Sequence, residues 1–489
     1  MKLHLKMWDQ LEPTAPHITY FVLPLFLITY ALFSNFIRNH LHLSEPPLAI
    51  LFGIILGPHV LKVLTPEEWG LDDEIMQEIT RVIVGIQCFA VGLELPKHYF
   101  KRHWKSVLYL LGPVMTFSWA VTSLFAYFIF QTTIPTALII GACLSPTDPI
   151  LAASVLSQSR FSERVPPRIR HLLSAESACN DGVSFPFLYI GLVIYTTHGG
   201  PGEAIKEWVT ITLLWQCLLG IVAGLILGNI ANRLLRFSDT RKYISRPCFV
   251  VFYLLLAILS IGIGSLLGSD DFLVAFGAGV GFAHDGWFSK KTKTVAFPVI
   301  VDHLLNSTMF AYFGSIIPWN QFQPTTITPY IKPWTLILFL ILVLLFRRIP
   351  ILLLTKPLIP DICTYREALF AGHFGPMGVG ALFLAIEARA QLETGTSLPL
   401  PKPLFPDDPG PVSEETKAIW IIWPVVCFVV FGSTMVHGLS VMGISFGGHF
   451  LRKEGERAPL LGETRGLSGM VHEGGGGESE PEVSGSEAE

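Results

Sequence analysis

The sequence predicts an all-α, polytopic membrane protein of about thirteen transmembrane helices, built as an inverted repeat with two broken helices. Three features lead there: apolar runs of bilayer length, basic loops that alternate with neutral or acidic ones, and an interrupted segment at the matching place in each half. Of the 489 residues, 51% are hydrophobic and 15% charged. A soluble chain of this length would divide into domains with charged surfaces. Here the apolar residues gather into runs such as 208–230 and 334–346. Runs near twenty residues match the roughly 30 Å hydrocarbon thickness of a bilayer. The net charge of −4 averages over a charged tail and a nearly uncharged body. Cys88, Cys143, Cys179, Cys217, Cys248, Cys363 and Cys427 are scattered, mostly inside apolar runs. No CxxC occurs, and no disulfide framework is expected. The N-terminus carries Asp9 and Glu12, and no small-residue cleavage site follows the first apolar run, so it does not read as a cleaved signal peptide.

The expected spans are 17–37, 47–64, 74–95, 106–130, 134–157, 171–196, 208–234, 247–268, 271–287, 295–317, 332–354, 364–389 and 418–446. Loop charge tests this order, because cytoplasmic loops collect Lys and Arg. Lys97, Lys101, Arg102 and Lys105 follow the third span, and Arg160, Arg164, Arg168 and Arg170 follow the fifth. Arg236, Arg241, Lys242 and Arg246 follow the seventh, and Lys290, Lys291 and Lys293 follow the ninth. Intervening loops are neutral or acidic: Glu67, Glu68, Asp72 and Asp73 after the second span, and Asp407, Asp408, Glu414 and Glu415 after the twelfth. The parity puts the N-terminus outside and the C-terminus in the cytoplasm. It divides the chain into an extracellular segment 1–16, a first six-helix repeat 17–196, a linker helix 208–234, a second, inverted repeat 247–446, and an acidic tail 447–489. The tail is rich in Glu, Gly and Ser, with too little apolar content to fold alone, and is expected to be disordered.

The fifth span contains Ser145-Pro146-Thr147-Asp148-Pro149, and the twelfth contains Gly372-His373-Phe374-Gly375-Pro376-Met377-Gly378. Proline removes a backbone donor and clashes with the preceding turn, so each sequence should interrupt its helix. With the seventh span as linker, the fifth corresponds to the twelfth, in opposite orientation. Paired interrupted helices in an inverted repeat point to the substrate site of a secondary transporter. Unwound backbone at that depth survives only inside protein or beside a water cavity. Two ordinary proline kinks are the plainer alternative.

The sixth span reads Glu176-Ser177-Ala178-Cys179-Asn180-Asp181-Gly182. Asp181 lies about ten residues from the inner end, so about 15 Å deep by the helical rise. A carboxylate near the midplane is costly and is a functional candidate by default. Carboxylates in low-dielectric surroundings can titrate near neutrality, so a cation and a proton can compete for the same oxygens. Ser177, one turn earlier on the same face, offers a hydroxyl oxygen, as does Thr147. Asp148 either ligates the ion or balances helix ends at the break. Glu176 is rotated by about 140° from Asp181 and points elsewhere. Its expected partner is Arg347 or Arg348, the arginine pair deep in an apolar span. Weaker signals are Glu94 at the inner end of the third span, Asp270 and Asp271 at the outer start of the ninth, and His373 in the twelfth-span break. Interface snorkelling, helix capping and an internally satisfied imidazole are their plainer readings.

The strings LSPTDPILAASVL, SAESACNDGVSFPF, REALFAGHFGPMGVGAL and GSDDFLVAFGAG resemble the fungal plasma-membrane sodium/proton antiporters. These belong to the monovalent cation:proton antiporter superfamily, with the animal sodium/proton exchangers as relatives. The resemblance covers roughly 17–446, and the pairing of TDP with ND in successive spans is its specific part. It implies a homodimer in the plasma membrane, each protomer with a moving six-helix core containing crossed broken helices and elevator-like alternating access. It implies that Asp181 carries both cation and proton, that Asn180 is its Asn-Asp partner, and that Thr147 and Asp148 lie at the crossing. Glu176 matches the core glutamate that pairs with an eleventh-span arginine. Asp270, Asp271 and His373 match features of the fungal branch. Many fungal relatives carry very long tails, and the short one here favours a sodium- and lithium-expelling type.

The expectation is therefore a secondary active transporter, not an enzyme, that exchanges cytoplasmic Na+, Li+ or K+ for external H+. It would need no cofactor and bind no nucleic acid, its partners being cations, protons, lipid and a second copy. A K+/H+ exchanger of the same fold is the near alternative. An intramembrane aspartyl protease using Asp148 and Asp181 would be expected to show GxGD, which is absent. A cation channel would use the same carboxylates only to select ions.

Overall fold

The computed structural model describes residues 14–41, 43–148, 165–196, 200–292, 297–403 and 412–451. Among these residues the regular structure is helical, with no strand. We number the principal helices α1 (Ala15–Phe36), α2 (Glu45–Leu56), α3 (Asp73–Glu94), α4 (Tyr99–Phe130), α5 (Ile134–Cys143), α6 (Pro167–Thr196), α7 (Pro201–Thr240), α8 (Arg246–Leu267), α9 (Asp271–Ala283), α10 (Phe297–Ile316), α11 (Pro333–Leu358), α12 (Tyr365–His373), α13 (Val379–Thr394) and α14 (Glu414–Leu451). Eight of them are long and apolar enough to cross a membrane: α1, α3, α4, α6, α7, α8, α11 and α14. The helices α2, α5 and α9 are apolar but shorter.

Within the described residues each expected span contains helix, and the departures from the expected bounds are local. The second ends at Leu56, before Gly57 and Pro58, so residues 57–64 are turn and irregular rather than helix. The fourth begins earlier, at Tyr99, after His98 turns the chain in the left-handed region. The eleventh is interrupted between Phe346 and Ile349. Pro350 has no amide hydrogen to return to the Phe346 carbonyl, so the helix breaks there and restarts. Arg347 and Arg348 sit at this join. The twelfth is two helices, α12 and α13, and continues past 389 to Thr394. Helix α14 runs to Leu451, so residues 447–451 are helical rather than part of the tail. The remaining tail, 452–489, lies outside the described residues, as do Asp9, Glu12, Pro149, Arg160, Arg164, Lys293, Asp407 and Asp408.

Helix α9 is the hub of one group: α3, α7 and α8 pack against it, and α2 packs against α10. Association of apolar helices in lipid depends on close backbone approach, which small residues permit. A Cβ at Gly228 of α7 would collide with the Ala278 carbonyl of α9, and one at Gly279 with the Phe89 carbonyl of α3. A second group joins α4, α5 and α6 with α13 and α14. Only 6% of the apolar window of α1 and 17% of that of α7 are buried, against 67% for α6. Helix α6 is therefore, with α3 and α14, one of the shielded helices, and its polar residues face protein rather than lipid.

The glycine contacts predict an asymmetry. Gly228→Val should destabilise the purified protein by about 1–3 kcal/mol, the range for overpacking a tight contact. Gly262→Val, on α8 where no atom lies within 4 Å, should not. Thermal unfolding in one detergent compares them.

Candidate functional site

Two interrupted helices meet beside α6. Helix α5 ends at Cys143 and α12 at His373; residues 144–148 and 374–378 are unwound, and α13 begins at Val379. The two unwound segments are joined directly: the Asp148 N–H donates to the Pro376 carbonyl at 2.8 Å. An interruption leaves terminal amides and carbonyls without intrahelical partners. Asp148 Oδ2 accepts from the Val379 N–H at 3.1 Å, at the first turn of α13. A carboxylate suits that positive helix end. Arg347 does the converse. Its Nη1 donates to the carbonyls of Leu144, Ser145 (3.3 Å) and Pro146 (3.4 Å), and its Nη2 to that of Gly375. One guanidinium thus serves carbonyls freed by both breaks. Its own backbone carbonyl accepts from Ser118 Oγ at 3.0 Å, which ties it to α4.

Helix α6 presents its polar stretch to this crossing. Asn180 Oδ1 accepts from the Thr147 N–H at 3.2 Å, and its Nδ2 donates to Thr147 Oγ1 at 2.9 Å. Thr147 Oγ1 also lies 2.7 Å from Ser177 Oγ. The Asn180 amide is thereby spent on Thr147, fixing both residues. Asp181 is 3% exposed. Among the described residues its carboxylate takes no hydrogen bond and no ion pair. Gly380, in the first turn of α13, faces it: a Cβ there would collide with Asp181 Oδ1. So the structure brings Thr147, Ser177 and Asn180 into one hydrogen-bonded set, puts Asp148 at the start of α13, and leaves Asp181 open against the glycine wall.

Glu176 lies on another face of α6, fully occupied. Arg348 Nη1 and Nη2 donate to its Oε1 and Oε2 at 2.6 and 2.9 Å, a bidentate pair with both residues buried. The eleventh-span arginines are therefore not equivalent. Arg348 meets the glutamate, while Arg347 meets the unwound backbone and does not pair with Glu176.

The weaker candidates scatter. Asp270 caps α9, its Oδ1 accepting from the Phe272 and Leu273 amides at 3.0 Å each. Among the described residues its other oxygen is buried without a hydrogen bond, near the space a Cβ at Gly182 would fill. Asp271 pairs with Arg81. His373 Nε2 lies 2.9 Å from Ser440 Oγ. Glu94 ends α3 and is exposed.

Residues missed in the sequence lie at the other end of α3 and α13. Arg389 Nη2 donates to Asp73 Oδ2 at 2.6 Å, and Glu387 accepts from Gln77 Nε2 at 2.8 Å and Ser397 Oγ at 2.7 Å. The signal was present, since charged side chains in an apolar span need partners. Ending that span at 389 set them at its edge, where no partner is required.

Removing one member of a buried pair leaves the other uncompensated, at about 3–5 kcal/mol. Glu176→Gln should therefore lower the unfolding temperature clearly, and the double change Glu176→Leu with Arg348→Met should recover part of the loss. Thermal scans of the three proteins measure it.

The family model "sodium/hydrogen exchanger, transmembrane" matches residues 22–446. The chain is 43% identical over 90% of its length to Na(+)/H(+) antiporter 2 of Zygosaccharomyces rouxii, covering 54% of that protein. It is 43% identical over 91% of its length to a Na(+)/H(+) antiporter of Saccharomyces cerevisiae, covering 45% of that protein. It thus spans about half the length of these curated relatives. A Na(+)/H(+) antiporter of Schizosaccharomyces pombe is 35% identical over 89% of this chain and 91% of its own length. In fold the chain resembles the sodium proton antiporter MjNhaP1 of Methanocaldococcus jannaschii, with a TM-score of 0.61 over 85% of this chain and 97% of that one at 18% identity. An all-helical membrane body with two interrupted helices meeting at an aspartate-bearing third, matched along nearly all of its spans, belongs to the transmembrane sodium/hydrogen exchanger family.

Proposed function

We propose that the protein is a secondary active transporter that exchanges cytoplasmic Na+, and with it Li+ or K+, for external H+ at Asp181. The observation that carries this reading is a contrast among buried carboxylates. Asp148 accepts from Val379, Glu176 from Arg348, Asp270 from two amides, and Asp271 from Arg81. Asp181 alone among these has no such partner within the described residues. A buried carboxylate left open beside unwound backbone can hold a proton or a hard monovalent cation, and either one neutralises it. The three fungal relatives described above are Na(+)/H(+) antiporters, which agrees with that chemistry.

Cytoplasmic Na+ displaces the proton from Asp181, and the hydroxyls of Thr147 and Ser177 and the unwound carbonyls are the further oxygens the crossing offers. The helices that carry the crossing then shift and open the site to the other side. There a higher proton concentration restores the acid and releases the cation. Coupling arises because one carboxylate holds one or the other; an ion binding both states equally would shift nothing. The loop charges support a C-terminus in the cytoplasm, the family resemblance supports a plasma-membrane homodimer, and salt tolerance is the physiological role such export would serve.

Reconstituted vesicles with an imposed pH gradient test the reading. The wild type should drive Na+ uphill, which a channel cannot do. Asp181→Asn should abolish that flux while keeping the wild-type elution profile; Na+ exchange persisting in this variant would refute the role of Asp181.

A further inference from the structure

Helix α14 is apolar for most of its length, yet Ser433, His437 and Ser440 recur at i, i+4 and i+7. That spacing lines them up along one face of a helix. The face meets the unwound segment between α12 and α13. Ser433 Oγ accepts from the Met377 N–H at 3.0 Å. His437 Nε2 lies 2.8 Å from the His373 carbonyl, which also accepts from the Gly375 N–H at 2.9 Å. A carbonyl only accepts, and both ring nitrogens lie against one, so a neutral imidazole donates to only one of them; the Nε2–H tautomer is the one that bonds α14 to the break. The opposite ring nitrogen, Nδ1, faces Ser433, 2.7 Å from its carbonyl and 3.2 Å from its hydroxyl. Ser440 Oγ meets the other imidazole, His373 Nε2, at 2.9 Å. Ser433 and His437 are both buried. One side of α14 therefore grips both ends of the break, at His373 and at Met377.

Immediately after Met377 the chain forms the wall of the site. Gly378 faces the Asp148 carboxylate, the Val379 amide donates to it, and Gly380 faces Asp181 Oδ1. The gap between Gly380 and Asp181 thus depends on where Met377 is held, three residues away along the backbone. Discrimination among cations of equal charge rests on cavity size and on the number and rigidity of oxygen ligands.

We propose that Ser433 and His437 are positioning residues that set cation specificity, by clamping His373 and Met377 so that Gly380 stands at a fixed distance from Asp181. The inference rests on the reading of Asp181 as the exchange site. The hydroxyl and the imidazole never touch the ion; they fix the backbone that does the confining. Losing one buried hydrogen bond of this kind corresponds to roughly a tenfold change in an equilibrium, and the loosened wall admits larger cations at the expense of smaller ones.

The test uses the full chain in vesicles, with half-saturating concentrations and maximal rates for Na+, Li+ and K+ under a fixed pH gradient. Ser433→Ala and His437→Asn should shift the Na+ to K+ ratio of half-saturating concentrations by roughly tenfold, with maximal rates within about twofold of the wild type. His437→Gln, whose terminal amide reproduces the Nε2 donor, should keep the wild-type ratio. Variants with native elution profiles that retain the ratio while losing rate would overturn the proposal, as would His437→Gln behaving like His437→Asn. If His437→Asn does not assemble, Ser433→Ala decides by the same ratio. Failure of the underlying reading looks different: wild-type vesicles would then show no exchange, or Asp181→Asn would exchange normally.

Discussion

A helix broken inside a membrane exposes carbonyls and amides where no water can reach them, and the rest of this site is shaped by how those groups are satisfied. Each unpaired backbone group costs several kcal/mol in hydrocarbon. The protein meets the cost with opposite charges at opposite helix ends. Arg347 covers carbonyls from both unwound segments, and Asp148 receives an amide at the start of α13. A direct backbone bond between Asp148 and Pro376 locks the segments together. A single break would leave these charges unbalanced; two breaks meeting let one arginine serve both.

The same accounting isolates Asp181. Once Arg348 is committed to Glu176 and Arg347 to backbone, neither arginine is left to neutralise it. Asn180, its chain neighbour, has its amide engaged by Thr147 on both sides. On the proposed reading, the carboxylate is thereby kept for a mobile charge. Glycine at 380 adds a steric condition, because any side chain there would occupy the space against Oδ1. The proposed function is thus placed by exclusion as much as by attraction: neighbouring residues are tied to one another, and one carboxylate is left without a fixed partner among the described residues.

Much of this was legible in the sequence, and the illegible part has a consistent cause. Bilayer thickness and loop charge locate the spans, so the order of the helices could be read, while their ends could not: the second stops at Leu56 and the fourth begins at Tyr99. The breaks could be read because proline and glycine act locally, as Pro146, Gly375 and Pro376 do. Pairings across helices could not. Adjacent helical residues point about 100° apart, so Arg347 and Arg348 were bound to differ, but which one faced α6 depended on the restart of the helix around Pro350. Asp148 was left open between ion ligand and helix-end charge, and the Val379 amide shows the contact it makes. Glu387 and Arg389 escape notice when the span is ended at 389, and Ser433 and His437 because polar residues in a last apolar span carry no signal until their neighbours are known.

The central claim is that one buried carboxyl group is shared, in turn, by a proton and an alkali cation. Proton release measures it directly. Purified protein in a weakly buffered detergent solution carrying a pH indicator is titrated with Na+, with choline at equal ionic strength as control. The account predicts that Na+ releases protons in saturable fashion from the wild type, that choline does not, and that Asp181→Asn releases none. Saturable Na+ binding without proton release, or equal release from Asp181→Asn, would contradict it.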